Sequence, residues 1–151
     1  MQISSFRKDS PVSEIMRIPI IRLYENLIVS VQVSLSDQLV MQLKEDITSE
    51  IERTNARGLV IDISGIGLMD SYISKALHDI GLIAKLMGVQ TVISGMAPLI
   101  ALTLSEMGLD LRGMHMALSL EDAIETLNNV DVIHDESDES EVGGYDLAAS
   151  D

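Results

Sequence analysis

The stretch "GLVIDISGIGLMDSYISKAL", Gly58 to Leu77, decides the fold. It starts with a short apolar run, Leu59 to Ile63, of the kind found in a strand buried on both faces. Two glycines, Gly65 and Gly67, follow in the loop "SGIGLM". After Asp70 and Ser71 the apolar spacing becomes helical. Ile73, Ala76/Leu77, Ile80, Ile83/Ala84 and Met87 fall on one face, and Gly88 is a stop. A strand, a loop and an amphipathic helix make up half of a β-α-β unit.

The same alternation extends in both directions. Upstream, "IPIIRLY" (Ile18 to Tyr24) and "LIVSVQV" (Leu27 to Val33) are β-branched runs separated by Glu25-Asn26, which predicts a hairpin. Ser36 or Asp37 is placed to cap a helix whose apolar positions are Leu39/Val40, Leu43, Ile47 and Ile51, with Gly58 as its stop. Downstream come a strand at Val89 to Ser94 and a helix from Pro98, closed by Gly108. A weak strand is predicted near Gly113 to Ala117, and a last helix, Leu120 to Leu127, with a capping box at Ser119 and Asp122. The order β-β-α-β-α-β-α-β-α predicts an α/β fold, a small mixed β-sheet flanked by helices. Its β-α-β crossovers should be right-handed. The domain should span 17–132, after a flexible arm at 1–16 and before an acidic, disordered tail at 133–151.

Composition narrows the function. The chain has 151 residues and a formal net charge of −14. Seven acids and no Lys or Arg lie between His134 and Asp151, so the rest carries 17 acids against 10 bases, or −7. An acidic surface repels nucleic acid and anionic membranes, and neither is expected as a partner. No cysteine is present, which excludes disulfides and thiolate chemistry. The uncharged run Leu86 to Ser105 has the length of a membrane span, but its Gly, Gln, Thr, Ser and Pro content reads as a strand followed by a helix. No signal-peptide pattern opens the sequence, and a cytoplasmic protein is the expectation.

Catalytic patterns are incomplete. A dinucleotide loop needs a third glycine where Asp70 stands, and a Walker loop needs a lysine that is missing between Arg57 and Lys75. The glycines therefore read as turn-makers. His78, His115 and His134 lie in separate elements without ligand spacing, so no metal and no cofactor is implied. His78 follows Ser71 by two helical turns, about 10 Å along the axis, too far for a Ser–His pair. Asp62, Asp70 and Asp79 could form a carboxylate set, though Asp79 reads as a solvated helix residue. The nine methionines read mostly as core fillers, with Met69, beside Ser71, as the exception.

That leaves Asp70-Ser71. Both residue types are preferred N-caps, and one of them should satisfy the orphan N–H groups of the helix. The same place tolerates a phosphoryl group, because a helix N-terminus favours negative charge.

These residues also carry a resemblance. "GLVIDISGIGLMDSYISKAL" resembles the signature of the STAS domain family, in which an Asp-containing strand leads through a loop to D-S at a helix start. Together with "IPIIRLYENLIVSVQ" and "IAKLMGVQTVISGMAPLIALTLSEMGL", it is similar to the RsbS-type scaffold branch of bacterial stressosomes over residues 17 to 128. Tyr72-Ile73 replaces the small residue and glycine usual in classical antagonists.

The resemblance implies a SpoIIAA-like fold and a non-catalytic scaffold phosphorylated at Ser71, with Gly65, Gly67, Leu68, Met69 and Asp70 as the partner-binding surface. It implies RsbR-type STAS proteins, an RsbT-type serine kinase and a serine phosphatase as partners in a large hetero-oligomeric complex. Phosphorylation at Ser71 would release the kinase and so regulate a stress response. The alternative it leaves open is a direct anti-sigma factor antagonist, which binds an anti-sigma kinase and frees a sigma factor through the same serine. A nucleotide-binding or hydrolytic enzyme is the reading from outside the family.

Overall fold

The run Leu59–Ile63 lies at the centre of a five-stranded sheet. The computed structural model describes residues 17–140 except 33 and 110, and for 131–140 the backbone alone. Its elements are β1 (Ile20–Leu23), β2 (Asn26–Ser30), α1 (Asp37–Thr54), β3 (Gly58–Asp62), α2 (Ser71–Leu86), β4 (Gln90–Ser94), α3 (Pro98–Glu106), β5 (His115–Ala117) and α4 (Leu120–Ser140). The strands stand in sequence order. β1 and β2 pair antiparallel and the remaining neighbours pair parallel, giving the expected mixed sheet.

Strand alternation splits the core in two. Leu27, Val29, Leu59, Ile61 and Ile93 point to one face and pack with the α1 stripe Leu39, Val40, Leu43, Ile47 and Ile51 and with Ala76, Leu77 and Ile80 of α2. Ile28, Val60 and Val92 point to the other face, where Ala123 and Leu127 of α4 cover them. A strand with helices on both sides must be apolar throughout, which is why "LVI" shows no polar alternation. The uncharged run Leu86 to Ser105 resolves into the end of α2, β4 and most of α3. No described helix is long and apolar enough to cross a membrane.

Four details differ from the sequence expectation. The hairpin turns at Tyr24-Glu25, with Tyr24 at a positive φ of 55°, because Asn26 already pairs with Leu23. Gly58 does not stop α1. Asn55, in the left-handed region, does, its N–H donating to the Ile51 carbonyl. Gly58 instead opens β3, where a Cβ would strike the Asn26 side-chain oxygen and come within 2.7 Å of Leu127 of α4. Glycine there leaves room for both side chains. Met87 is the C-cap of α2 and is exposed rather than part of its buried face. Finally, α4 runs to Ser140 rather than Leu127, so residues 133–140 are helical where an acidic, disordered tail is expected. Composition signals disorder only through missing burial. Helical hydrogen bonds are local, and no Gly or Pro interrupts 120–140. The arm at 1–16 and the segment 141–151 lie outside the described residues.

Candidate functional site

The strands β2 to β4 run parallel, so their carboxyl ends share one edge, and the loop from β3 to α2 emerges there. The first turn of that loop is closed by Ile66 N–H donating to Ile63 O at 2.9 Å, and its root by Ser64 N–H donating to Asp62 Oδ1 at 3.0 Å. Neither Gly65 nor Gly67 has a positive φ, so the turn does not require glycine. Gly65 is needed for proximity: a Cβ would sit 2.9 Å from the Val31 carbonyl oxygen. At Gly67 a Cβ would meet nothing within 4 Å. The turn-maker expectation therefore fails for both, and only Gly65 has a steric reason to be glycine.

The loop alternates anchors with displayed groups. Ile66 and Met69 are buried, while Leu68 is 81% exposed. Met69, at 4% exposure, packs in the main core. It belongs beneath the expected partner-binding surface and not on it. Gly65, Gly67, Leu68 and Asp70 are exposed.

Asp70 is the N-cap of α2. Its backbone is extended and its Oδ1 accepts from Ile73 N–H at 2.8 Å. Ser71 is thus the first helical residue, exposed, and its hydroxyl is spared the capping duty. Ser74, the other serine of this turn, is only 3% exposed. Tyr72 stands between two surface grooves. One, about 420 Å³, lies between the 65–68 loop and Gln32, Ser34 and Leu35. The other, about 380 Å³, lies between α1 and α2. The neighbouring Asp37 at the start of α1, with burial and the Asp70 charge, holds the Tyr72 hydroxyl above the ordinary tyrosine pKa.

Two helical turns further, Asp79 ties the two helices. Its Oδ2 accepts from Lys75 Nζ of α2 at 3.0 Å and from Lys44 Nζ of α1 at 3.2 Å. The Lys75 hydrogen bond, opposed by some burial and aided by Lys44, holds its carboxyl below the usual aspartate range. Asp79 is therefore a bridging residue rather than a simply solvated one. The i, i+4 spacing of Lys75 and Asp79 could have signalled part of this. The Lys44 and Asp37 contacts are long-range and no local pattern marks them.

The carboxylates Asp62, Asp70 and Asp79 each have a structural partner, in a backbone amide, a helix cap and a lysine pair. Among the described residues no group of three or more His, Asp or Glu is placed to hold a metal. The arrangement presents a hydroxyl on a braced helix start, beside an exposed leucine and two shallow grooves.

Comparison with known proteins gives a consistent neighbourhood. Residues 17–123 match the STAS domain. The RsbS protein of Moorella thermoacetica, solved as a serine-to-glutamate variant, is 38% identical, with a TM-score of 0.67 over 76% of this chain and 97% of that one. A chain from a structure of the stressosome, described there as a signal integration and transduction hub, is 40% identical, with a TM-score of 0.67 over 75% of this chain and 98% of that one. The RsbT co-antagonist protein RsbRD of Bacillus subtilis is 35% identical over 66 residues, which is 44% of this chain and 24% of RsbRD. This chain thus spans about a quarter of that relative.

Proposed function

The chain belongs to the STAS domain family, and on that premise we propose that it is a non-catalytic scaffold of a stressosome whose binding of a serine kinase is controlled by phosphorylation of Ser71. The observation that carries the reading is the division of labour at the start of α2: Asp70 caps the helix, which leaves Ser71 exposed with its hydroxyl available for chemistry. Its similarity to RsbS and to a stressosome chain supports a scaffold assembled with RsbR-type STAS proteins. An RsbT-type kinase would transfer the γ-phosphoryl group of ATP to Ser71 Oγ, the hydroxyl proton passing to the kinase and ADP leaving. A phosphatase would reverse the state by hydrolysis.

The added charge, about −1.5 to −2, sits well at a helix N-terminus, so the fold accommodates it. A partner docked over Leu68 and the neighbouring groove would not: it would meet a dianion beside the existing Asp70 carboxylate. Kinase release then follows from repulsion and desolvation at the interface, without a change of fold.

The test is phosphorylation by the cognate kinase with ATP, mapped by mass spectrometry. Phosphate is expected on Ser71 and is lost in Ser71→Ala. Phosphate persisting in that variant sinks the assignment. In a pull-down, Ser71→Asp should retain less kinase than Ser71→Ala, and equal retention contradicts the charge mechanism. Size-exclusion chromatography with an RsbR-type protein separates the scaffold, which forms a very large particle, from a direct anti-sigma factor antagonist, which forms a small heteromer.

A further inference from the structure

We infer that Lys75 is the cation that receives a phosphoryl group on Ser71, and that it leaves Asp79 to do so. The inference rests on the proposed phosphorylation of Ser71 and specifies what the fold does with the new charge.

Ser71, Lys75 and Asp79 stand four residues apart along α2. Residues at this spacing lie one above the other on a single stripe, so Lys75 has an anionic neighbour one turn below and a hydroxyl one turn above. At present its ammonium is 3.0 Å from Asp79 Oδ2, and the same oxygen also accepts from Lys44 at 3.2 Å. One carboxylate oxygen is therefore shared by two cations. They are not equally held: the Lys75 side chain is 73% exposed, whereas that of Lys44 is 29% exposed and reaches across from α1. Lys75 is the partner that can leave.

Three further considerations set the direction of exchange. An acid placed N-terminal to lysine at i, i+4 interacts better than the reverse, and Asp79 is on the weaker, C-terminal side of Lys75. Side chains on a helix lean toward its N-terminus, which for Lys75 means toward Ser71. A phosphoserine also carries more charge and more acceptor oxygens than a carboxylate. The other charged groups facing this end of the helix are Asp70 and, across the Tyr72 hydroxyl, Asp37. Both are acids, and the sequence places no Lys or Arg between Arg57 and Lys75. Lys75 is thus the lysine that α2 supplies at its N-terminal end. After exchange Asp79 keeps Lys44, so the α1–α2 tie persists while the groove between the helices has a cation moved toward the modified serine.

Phosphoserine can be placed at position 71 of the full chain during translation, by genetic code expansion, so the kinase is not needed. The readout is the titration midpoint of the Asp79 carboxyl, followed by 13C NMR. Losing Lys75, the largest cause of its lowered pKa, should raise that midpoint in the phosphorylated protein. In Lys75→Gln the midpoint should already be raised without phosphate, and phosphoserine should add less than half of the wild-type rise. Lys75→Arg should restore the full response. An equal rise in both backgrounds would mean that Asp79 responds only to the field of the phosphate, and overturns the exchange, as does an unchanged midpoint in the wild type. A kinase that modified a different residue would defeat the functional reading and leave this result untouched.

Discussion

Two loops perform the same topological task in this molecule and are built differently. Each carries the chain from the carboxyl end of a parallel strand into a helix. The link from β4 to α3 does this in three residues, Gly95 to Ala97, and enters a helix with proline at its first turn and no side-chain cap. The link from β3 to α2 uses eight residues, 63–70, pins three of them (Ile63, Ile66 and Met69) in the core, exposes Leu68 and ends in a side-chain cap by Asp70. Three residues suffice for the connection. The extra length of the longer loop builds a surface, and its anchors tie that surface to the core.

The comparison breaks most visibly at the anchors. Met69→Ala removes a buried side chain of the main core and should cost roughly 2–5 kcal/mol, seen as a lower urea midpoint. Leu68→Ala, one residue away, should change stability by less than about 0.5 kcal/mol and instead weaken capture of the docked partner. Similar stability losses for the two variants would refute the division between anchor and display.

The short loop needs a positive φ where the long one does not. Gly95 has a φ of +74°, and a Cβ there would lie 2.8 Å from the Ser64 Cβ and 2.9 Å from Asp62 Oδ1. Gly95→Ala combines a left-handed backbone with a steric conflict and should cost about 2 kcal/mol. It should also disturb the long loop, because the atoms it strikes form that loop's root. Gly67→Ala, in open space and without a positive φ, should lie within about 0.5 kcal/mol of wild type. Thermal unfolding of the two variants tests this directly.

This pair of glycines also shows what was legible in the sequence. Periodicity gave the element order and the α1 stripe Leu39, Leu43, Ile47, Ile51, because a helix buried on one side writes its contacts into local spacing. The capped helix start was legible for the same reason, since an N-cap is a local interaction. The roles of Gly58 and Gly65 were not. A Cβ at either would meet residues distant in sequence, Asn26 and Leu127 at Gly58 and Val31 at Gly65, and nothing in the neighbouring residues reports that. Met69 was misplaced by the same blindness: a loop position reads as surface until the fold shows it pointing down. The Asp79 bridge was half visible, through Lys75 on its own helix, and half hidden, through Lys44 on another.

The smallest expected effect lies at the caps, where the two loops can be made more alike. Asp70→Ala removes the bond to the Ile73 amide and a favourable charge at the helix N-terminus, at a cost of about 1 kcal/mol. Ala97→Ser offers α3 a cap it lacks and should gain about 0.5 kcal/mol at most. The stability changes are therefore opposite in sign and modest. Their consequences for modification differ more. A frayed first turn frees Ser71 from its fixed position above Lys75, so Asp70→Ala should slow phosphorylation by a kinase that reads the folded helix start. Asp70→Ser keeps a capping oxygen without the charge. If it restores both the urea midpoint and the phosphorylation rate, Asp70 serves Ser71 as a cap. If it restores only the midpoint, the carboxylate is itself part of what the kinase reads, and the comparison sharpens to a single charge that the loop before α3 does not carry.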